Sequence, residues 1–165
     1  MMHTMKHIGS ITLRILAKAI LWFLGVSLLL VIAFKWIPVP ITATMIMDEH
    51  PITKDWEPLE NIDPNLAYAV IASEDAKFCK HWGFDTEAIE QAAKENAKGG
   101  RIRGGSTISQ QTAKNVFLWQ GGGYFRKALE AWFTFLIEAV WGKERIMEVY
   151  LNVAETGIGT YGAEA

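Results

Sequence analysis

From Ile20 to Phe34 the chain runs 15 residues without a charge, ILWFLGVSLLLVIAF, and that run restricts where everything after it can sit. With Lys18 and Lys35 snorkelling at its ends, a helix over 17–37 approaches the roughly 20 residues that cross about 30 Å of hydrocarbon. Trp22 and Trp36 fall near the two interfaces, where amphipathic rings are favoured. A cleaved signal peptide shares the basic leader, but no small-x-small site follows closely, and Thr42–Met45 is a poor substitute. The stretch therefore reads as an uncleaved anchor. Lys6, Arg14 and Lys18 precede it, and Asp48 and Glu49 follow, which keeps the N-terminus cytoplasmic and the rest outside. The expected division is a basic leader over 1–16, the anchor over 17–37, a linker or membrane-proximal segment over 38–63, and one domain over 64–165.

Charge is distributed unevenly. Residues 1–47 hold four bases and no acid, whereas the remainder holds 12 bases and 18 acids. A weakly acidic body behind a basic apolar leader argues against nucleic-acid binding. Cys79 is the one cysteine, so neither a disulfide framework nor a Cys-x-x-Cys metal site is available.

Within the domain the signals are helical. Asp63 caps and Pro64 opens a helix through NLAYAVIASEDAKF, which Gly83 ends. Asp85 or Thr86 starts a second through EAIEQAAKENAK. The loop Gly99–Gly105, with four glycines and two arginines, leads to a third helix opening at Ser106-Thr107. A fourth, about Tyr124–Trp141, is apolar nearly all round and too short to span, so it is expected in the core. A fifth covers Lys143–Asn152. No segment alternates with period two, so the expected class is all-α.

Between Glu95 and Glu130 lie 34 residues without an acid, carrying Lys98, Arg101, Arg103, Lys114, Arg126 and Lys127. Such a stretch suits an anion site, and equally a solvated basic face or a contact with lipid headgroups. Thr107 and Gln111, like Gln110 and Lys114, are spaced i, i+4 in the first turns after the glycine loop, where a helix N-terminus favours anions. No Gly-Lys-Ser/Thr follows the glycines, so kinase-type chemistry is unsupported. On the first helix Glu74, Phe78 and His81 share one face if the helix persists. Glu74 beside Asp75 and Phe78 has the setting of a general base with a raised pKa, and also that of an ordinary solvated acid. Arg126 and Lys127 precede Glu130 by four and three residues, a spacing that a simple helix salt bridge also produces.

EDAKFCKHWGFD at Glu74–Asp85, GGSTISQQTAKN at Gly104–Asn115, RKALE at Arg126–Glu130 and KERIMEVYLN at Lys143–Asn152 resemble, in order, four signatures of the family-51 glycosyltransferases. The resemblance covers residues 64–165. It implies a lysozyme-like helical lobe beside a small membrane-proximal jaw, in a single-pass protein of the bacterial cytoplasmic (inner) membrane. It further implies polymerisation of lipid II onto a growing glycan strand, with undecaprenyl pyrophosphate released by one inverting displacement. Glu74 then matches the catalytic base and Glu130 the second glutamate, orienting cations or a divalent ion. Lys114, Arg126 and Lys127 would face the pyrophosphate, helped by Arg103. Asp75, Phe78, His81, Thr107, Gln111 and Asn115 match positions that shape the acceptor and donor sites, with Gln110 beside them. No cofactor is required; Mg or Mn is compatible, and membrane lipid and other cell-wall synthesis proteins are the partners implied. Tyr161–Ala165 match the family's Tyr-Gly-x-x-Ala segment, where the chain is expected to stop inside a helix, short of a fifth signature. A lytic glycosidase of lysozyme-like fold and a catalytically impaired precursor-binding scaffold are the competing readings; the basic stretch argues against the former.

Overall fold

The computed structural model describes residues 2–99 and 104–163, with only the backbone course for 2–11 and Asn96. Seven helices follow in order: α1 Met2–Trp36, α2 Ala43–Ile46, α3 Pro64–Glu74, α4 Thr86–Ala97, α5 Ile108–Phe117, α6 Gly123–Val140 and α7 Lys143–Val153. Strands β1 Thr53–Lys54, β2 Glu155–Gly157 and β3 Thr160–Tyr161 form a small sheet of order β1-β3-β2. β1 runs parallel and β2 antiparallel to β3. The molecule is mostly helical, as expected. Strands of two and three residues are too short to show alternation, which is why the sheet left no mark in the sequence pattern.

The core is built on α5, α6 and α7. Ile108, Ala113, Ile137, Ile146 and Val149 are wholly buried within it. Thr107 is the N-cap of α5: its hydroxyl accepts from the Gln110 N–H while the Gln110 side chain accepts from the Thr107 N–H. Gly122, at φ 86°, turns the chain from α5 into α6; a Cβ there would lie 2.9 Å from both Trp119 Nε1 and Arg126 Cβ.

One expectation about helix length fails. The first domain helix was expected through Phe78, but α3 stops at Glu74 and Ala76–Lys80 form turns. Glu74, Phe78 and His81 therefore do not share a helical face. Tyr161 belongs to β3, and the expected stop of the chain inside a helix lies outside the described residues.

α1 contains one span, Thr12–Trp36, long and apolar enough to cross a membrane by length and composition. It begins well before the expected anchor. Its second half does not hang free. Phe23 meets Phe133 edge-on at 6.3 Å, and Phe133 stacks on Phe117 at 4.4 Å. Trp132 Nε1 donates to Ser27 Oγ at 3.1 Å, and Trp141 Nε1 to the Val31 carbonyl at 2.6 Å. Arg145 donates to the Phe34 carbonyl at 2.7 and 3.1 Å and to the Ile37 carbonyl at 2.8 Å. Those carbonyls lie at the end of α1, where no intrahelical donor remains. So α6, expected in a core, is buried between α5 and the anchor helix.

The segment 38–63 is also tied down. Asn152 exchanges hydrogen bonds with the Glu57 backbone at 2.8 Å in both directions. Tyr161 donates to Asp48 at 2.7 Å, and Asp48 also accepts from the His50 N–H at 2.9 Å. The His50 N–H, then the Tyr161 hydroxyl, hold Asp48 down at about 2. A depressed carboxyl contributes stability above its unfolded value and loses it as pH falls through the folded one. The Asp48–Tyr161 tie should thus persist above about pH 4 and release as pH falls toward about 2. Chemical shifts of Tyr161 in a pH titration will read this. Arg145→Ala should cost about 2–3 kcal/mol in the docking of α1 and speed proteolysis within 38–63.

Candidate active site

The site is assembled where the end of α3, the start of α5 and the start of α6 meet. Glu74, the last residue of α3, is exposed, and one of its oxygens accepts from Gln111 Nε2 of α5 at 2.9 Å. It borders a cleft of about 250 Å³ lined also by Lys77, Asp85, Gln91 and the segment Gly104–Thr107. A second cavity, of about 290 Å³, lies across Gly105 and Ser106 and reaches Gln110 and Lys127. The two cavities share Gly105 and Ser106, so one short segment separates the exposed carboxylate from Lys127, one member of a basic cluster.

That cluster is organised by Glu130. Its side chain is 3 % exposed, yet it carries a charge that needs partners. Arg126 Nη1 donates to one oxygen at 2.7 Å, and Lys127 Nζ donates to the other. Lys127 also reaches Ser106 Oγ at 3.1 Å, and Arg126 Nε donates to the Gly121 carbonyl. Lys114, on α5, is half-buried and makes no ion pair within 4 Å among the described residues. Burial lowers its pKa; Glu130 opposes that, and Arg126 and Lys127 reinforce it. Arg126 and Lys127 thus hold one buried carboxylate, with Lys114 near enough to feel all three charges, leaving a net positive site.

Several residues singled out from sequence are tied into the fold, although Asp75 and Thr107 also line the cleft. Asp75 turns away from Glu74: its carboxylate meets His81 Nε2 at 2.9 Å and accepts from the Ile108 N–H at 3.1 Å. With the Thr107 hydroxyl on the Gln110 N–H, the N-terminus of α5 already has its anion and its cap. The anion site expected at that helix end is therefore occupied by the protein itself, and side-chain cations remain to receive a ligand. The Thr107 hydroxyl donates to the Gly83 carbonyl at 2.7 Å. Phe78 is buried in the core beneath the Lys143 ammonium, 4.6 Å from its ring centre. Gln110 is buried in the capping box. Asn115 is half-buried one residue beyond Lys114. Arg103 lies outside the described residues.

Glu130 does not fit a resident divalent ion. Each of its oxygens already holds a cation, and among the described residues no three His, Cys, Asp or Glu groups converge. Sequence reasoning missed Tyr150 of α7, which is buried. Burial, and then the negative charge of Glu74, push its phenol above the ordinary value, so it stands within electrostatic reach of that carboxylate. Its place in KERIMEVYLN was the available signal. Ser106 and Gln91, which line the cleft, carried none.

Removing the carboxylate that holds the cations, in Glu130→Ala, should destabilise the fold by about 2–3 kcal/mol in denaturant titration. Because Lys114 gives up its proton at a lower pH than a solvated lysine, binding of inorganic pyrophosphate should weaken as pH rises through that lowered value. Lys114→Arg, charged throughout, should remove the step in a calorimetric titration against pH.

Comparison with known proteins identifies the family. A family model described as Transglycosylase matches residues 42–165. A protein of Pseudomonas putida strain F1 is 54 % identical over 165 aligned positions, spanning 94 % of this chain and 70 % of that one. Another, from Pseudomonas syringae pv. syringae strain B728a, is 54 % identical over 162, spanning 93 % and 69 %. Both bear the name biosynthetic peptidoglycan transglycosylase. A family match from the end of the anchor to the last residue, joined to majority identity with relatives across nearly the whole chain, places this protein in the transglycosylase family.

Proposed function

We propose that this protein is a membrane-anchored peptidoglycan glycosyltransferase that polymerises lipid II into β-1,4 glycan strands, with Glu74 as general base. The observation that carries the mechanism is the placement of one exposed carboxylate on one side of Gly105–Ser106 and, on the other, Lys127, which joins Arg126 on Glu130. In this reading the acceptor sugar lies in the cleft beside Glu74, and the donor pyrophosphate lies at Lys114, Arg126 and Lys127. Glu74 takes the proton of the acceptor 4-hydroxyl, and that oxygen forms the new bond to the donor's anomeric carbon. The carbon–oxygen bond to undecaprenyl pyrophosphate breaks, and its electron pair leaves with the pyrophosphate. Attack opposite the leaving group inverts an α-linked diphosphate to a β-linked glycan, with no covalent enzyme intermediate.

The cations act where charge develops. Fixed before the reaction by Glu130 and, for Arg126, the Gly121 carbonyl, Arg126 and Lys127 need little reorganisation to receive the departing oxygens. Gln111 holds Glu74 in place without supplying a counter-charge, which leaves the carboxylate free to accept a proton. No step is assigned to a divalent ion. A lytic glycosidase, which cleaves glycan without a pyrophosphate, would give this cluster nothing to bind.

Location at the cytoplasmic membrane is supported by the way α6 docks on the anchor. Ser27 lies about 14 Å along α1 from Trp36, at about 1.5 Å per residue. Trp132 and Phe133 therefore meet α1 beside its second half rather than beyond its end. The basic leader is consistent with an N-terminus inside and a lobe outside. A site held there meets a lipid-borne substrate at the bilayer surface.

In an assay of labelled lipid II in detergent, the protein should produce a glycan ladder on a gel. Glu74→Gln, isosteric but no base, should lower the rate by about 10²–10⁴-fold while the melting temperature holds. Normal polymerisation by that variant would rule out the assignment.

A further inference from the structure

α6 buries a second carboxylate that the proposed chemistry does not touch. Glu138 stands eight residues beyond Glu130 on the same helical face, with Thr134 between them. Its side chain is 2 % exposed. One of its oxygens accepts from Ser109 Oγ of α5 at 2.5 Å and from Lys143 Nζ of α7 at 2.6 Å. The same Lys143 ammonium lies over the Phe78 ring. A Cβ at Gly83 would come 3.0 Å from Glu138 Cγ and 2.7 Å from Thr134 Cγ2, so the Gly83 backbone is pressed against this stripe. The Gly83 carbonyl in turn receives the Thr107 hydroxyl.

Stability alone does not require such a group. A buried ion pair is often matched or bettered by apolar residues of the same volume, and its best-attested use is to fix register. Here the register concerned is that of α5. Ser109 and Gln111 are two residues apart on a helix and so point in nearly opposite directions: Ser109 toward Glu138, Gln111 toward Glu74. A turn of α5 by about 20° would carry a side-chain tip at about 5 Å radius through about 2 Å, enough to break the Gln111–Glu74 hydrogen bond.

We infer that Glu138 is a positioning residue for the active site: held by Lys143, it sets the rotation of α5 through Ser109, and thereby where Gln111 holds Glu74. The inference rests on Glu74 being the base. Glu138 touches no substrate; it acts through Ser109 and Gln111.

The test compares Ser109→Ala and Glu138→Gln with the unaltered protein in polymerisation of labelled lipid II, with thermal melts alongside. Ser109→Ala removes only the tie to α5 and keeps the Glu138–Lys143 pair. It should melt near the parent temperature and lose about 10- to 100-fold in kcat, as misplacement of a reacting group does, with KM little changed. In a Glu74→Gln background the same change should leave the residual rate where it was, because there is no base left to misplace. Full kcat in folded Ser109→Ala, beside an inactive Glu74→Gln, would overturn this inference alone. So would an equal fold-loss in both backgrounds, or a loss no greater than the fall in folded protein. Retained activity in Glu74→Gln would overturn the base assignment and this inference together. If Glu138→Gln does not fold, Ser109→Ala decides the matter.

Discussion

A carboxylate cannot be taken into a helix interface unless donors follow it there, and α6 takes in two. Glu130 draws Arg126 and Lys127 from its own first turns, while Glu138 draws Ser109 from α5 and Lys143 from α7. The first pairing gathers cations that would otherwise scatter over the surface. The second ties the three core helices at one point. Between them Thr134 returns its hydroxyl to the Glu130 carbonyl, and Gly83 packs against the helix because nothing larger fits. Both the basic cluster and the setting of α5 follow from where α6 places these two acids.

α6 can hold that position because its other side is closed by α1. An aromatic stack from Phe23 through Phe133 to Phe117 joins the anchor, α6 and α5. The indole donors of Trp132 and Trp141 satisfy their polar ends on α1, as buried tryptophans require. Arg145 closes the end of the anchor by taking its free carbonyls. The anchor is therefore part of the lobe's packing as well as its tether. A lobe fixed in this way holds its cleft at a set distance from that helix.

The N-terminus of α5 shows how tertiary structure reassigns a local signal. A helix start behind glycines is an anion site by geometry. Asp75, thirty-three residues earlier, occupies it and is itself held by His81. The negative charge there keeps a second anion out and leaves the cation cluster as the place where an anion is welcome.

How much of this was legible beforehand depended on distance along the chain. Helix starts and stops at Asp63-Pro64, Thr107 and Lys143 were readable because caps and apolar periodicity act within about one turn of helix. The apolar run after Lys18 determined the anchor for a similar reason, since length and hydrophobicity are properties of a segment alone. The order of the four signatures was enough to name the family. What no local pattern carries is which partner a polar group will meet. Asp75 turned to α5 and Phe78 to the core because α3 ends at Glu74, and the Asp75 carboxylate then takes the Ile108 N–H at the start of α5. Ser109, Glu138 and Lys143 look unremarkable one at a time, and only the packing of α5, α6 and α7 makes them a unit. The sequence determined which elements form and the residue types the chemistry needs; the tertiary structure decided which charges face each other, because Coulomb energy and desolvation depend on distances through space that sequence separation does not encode.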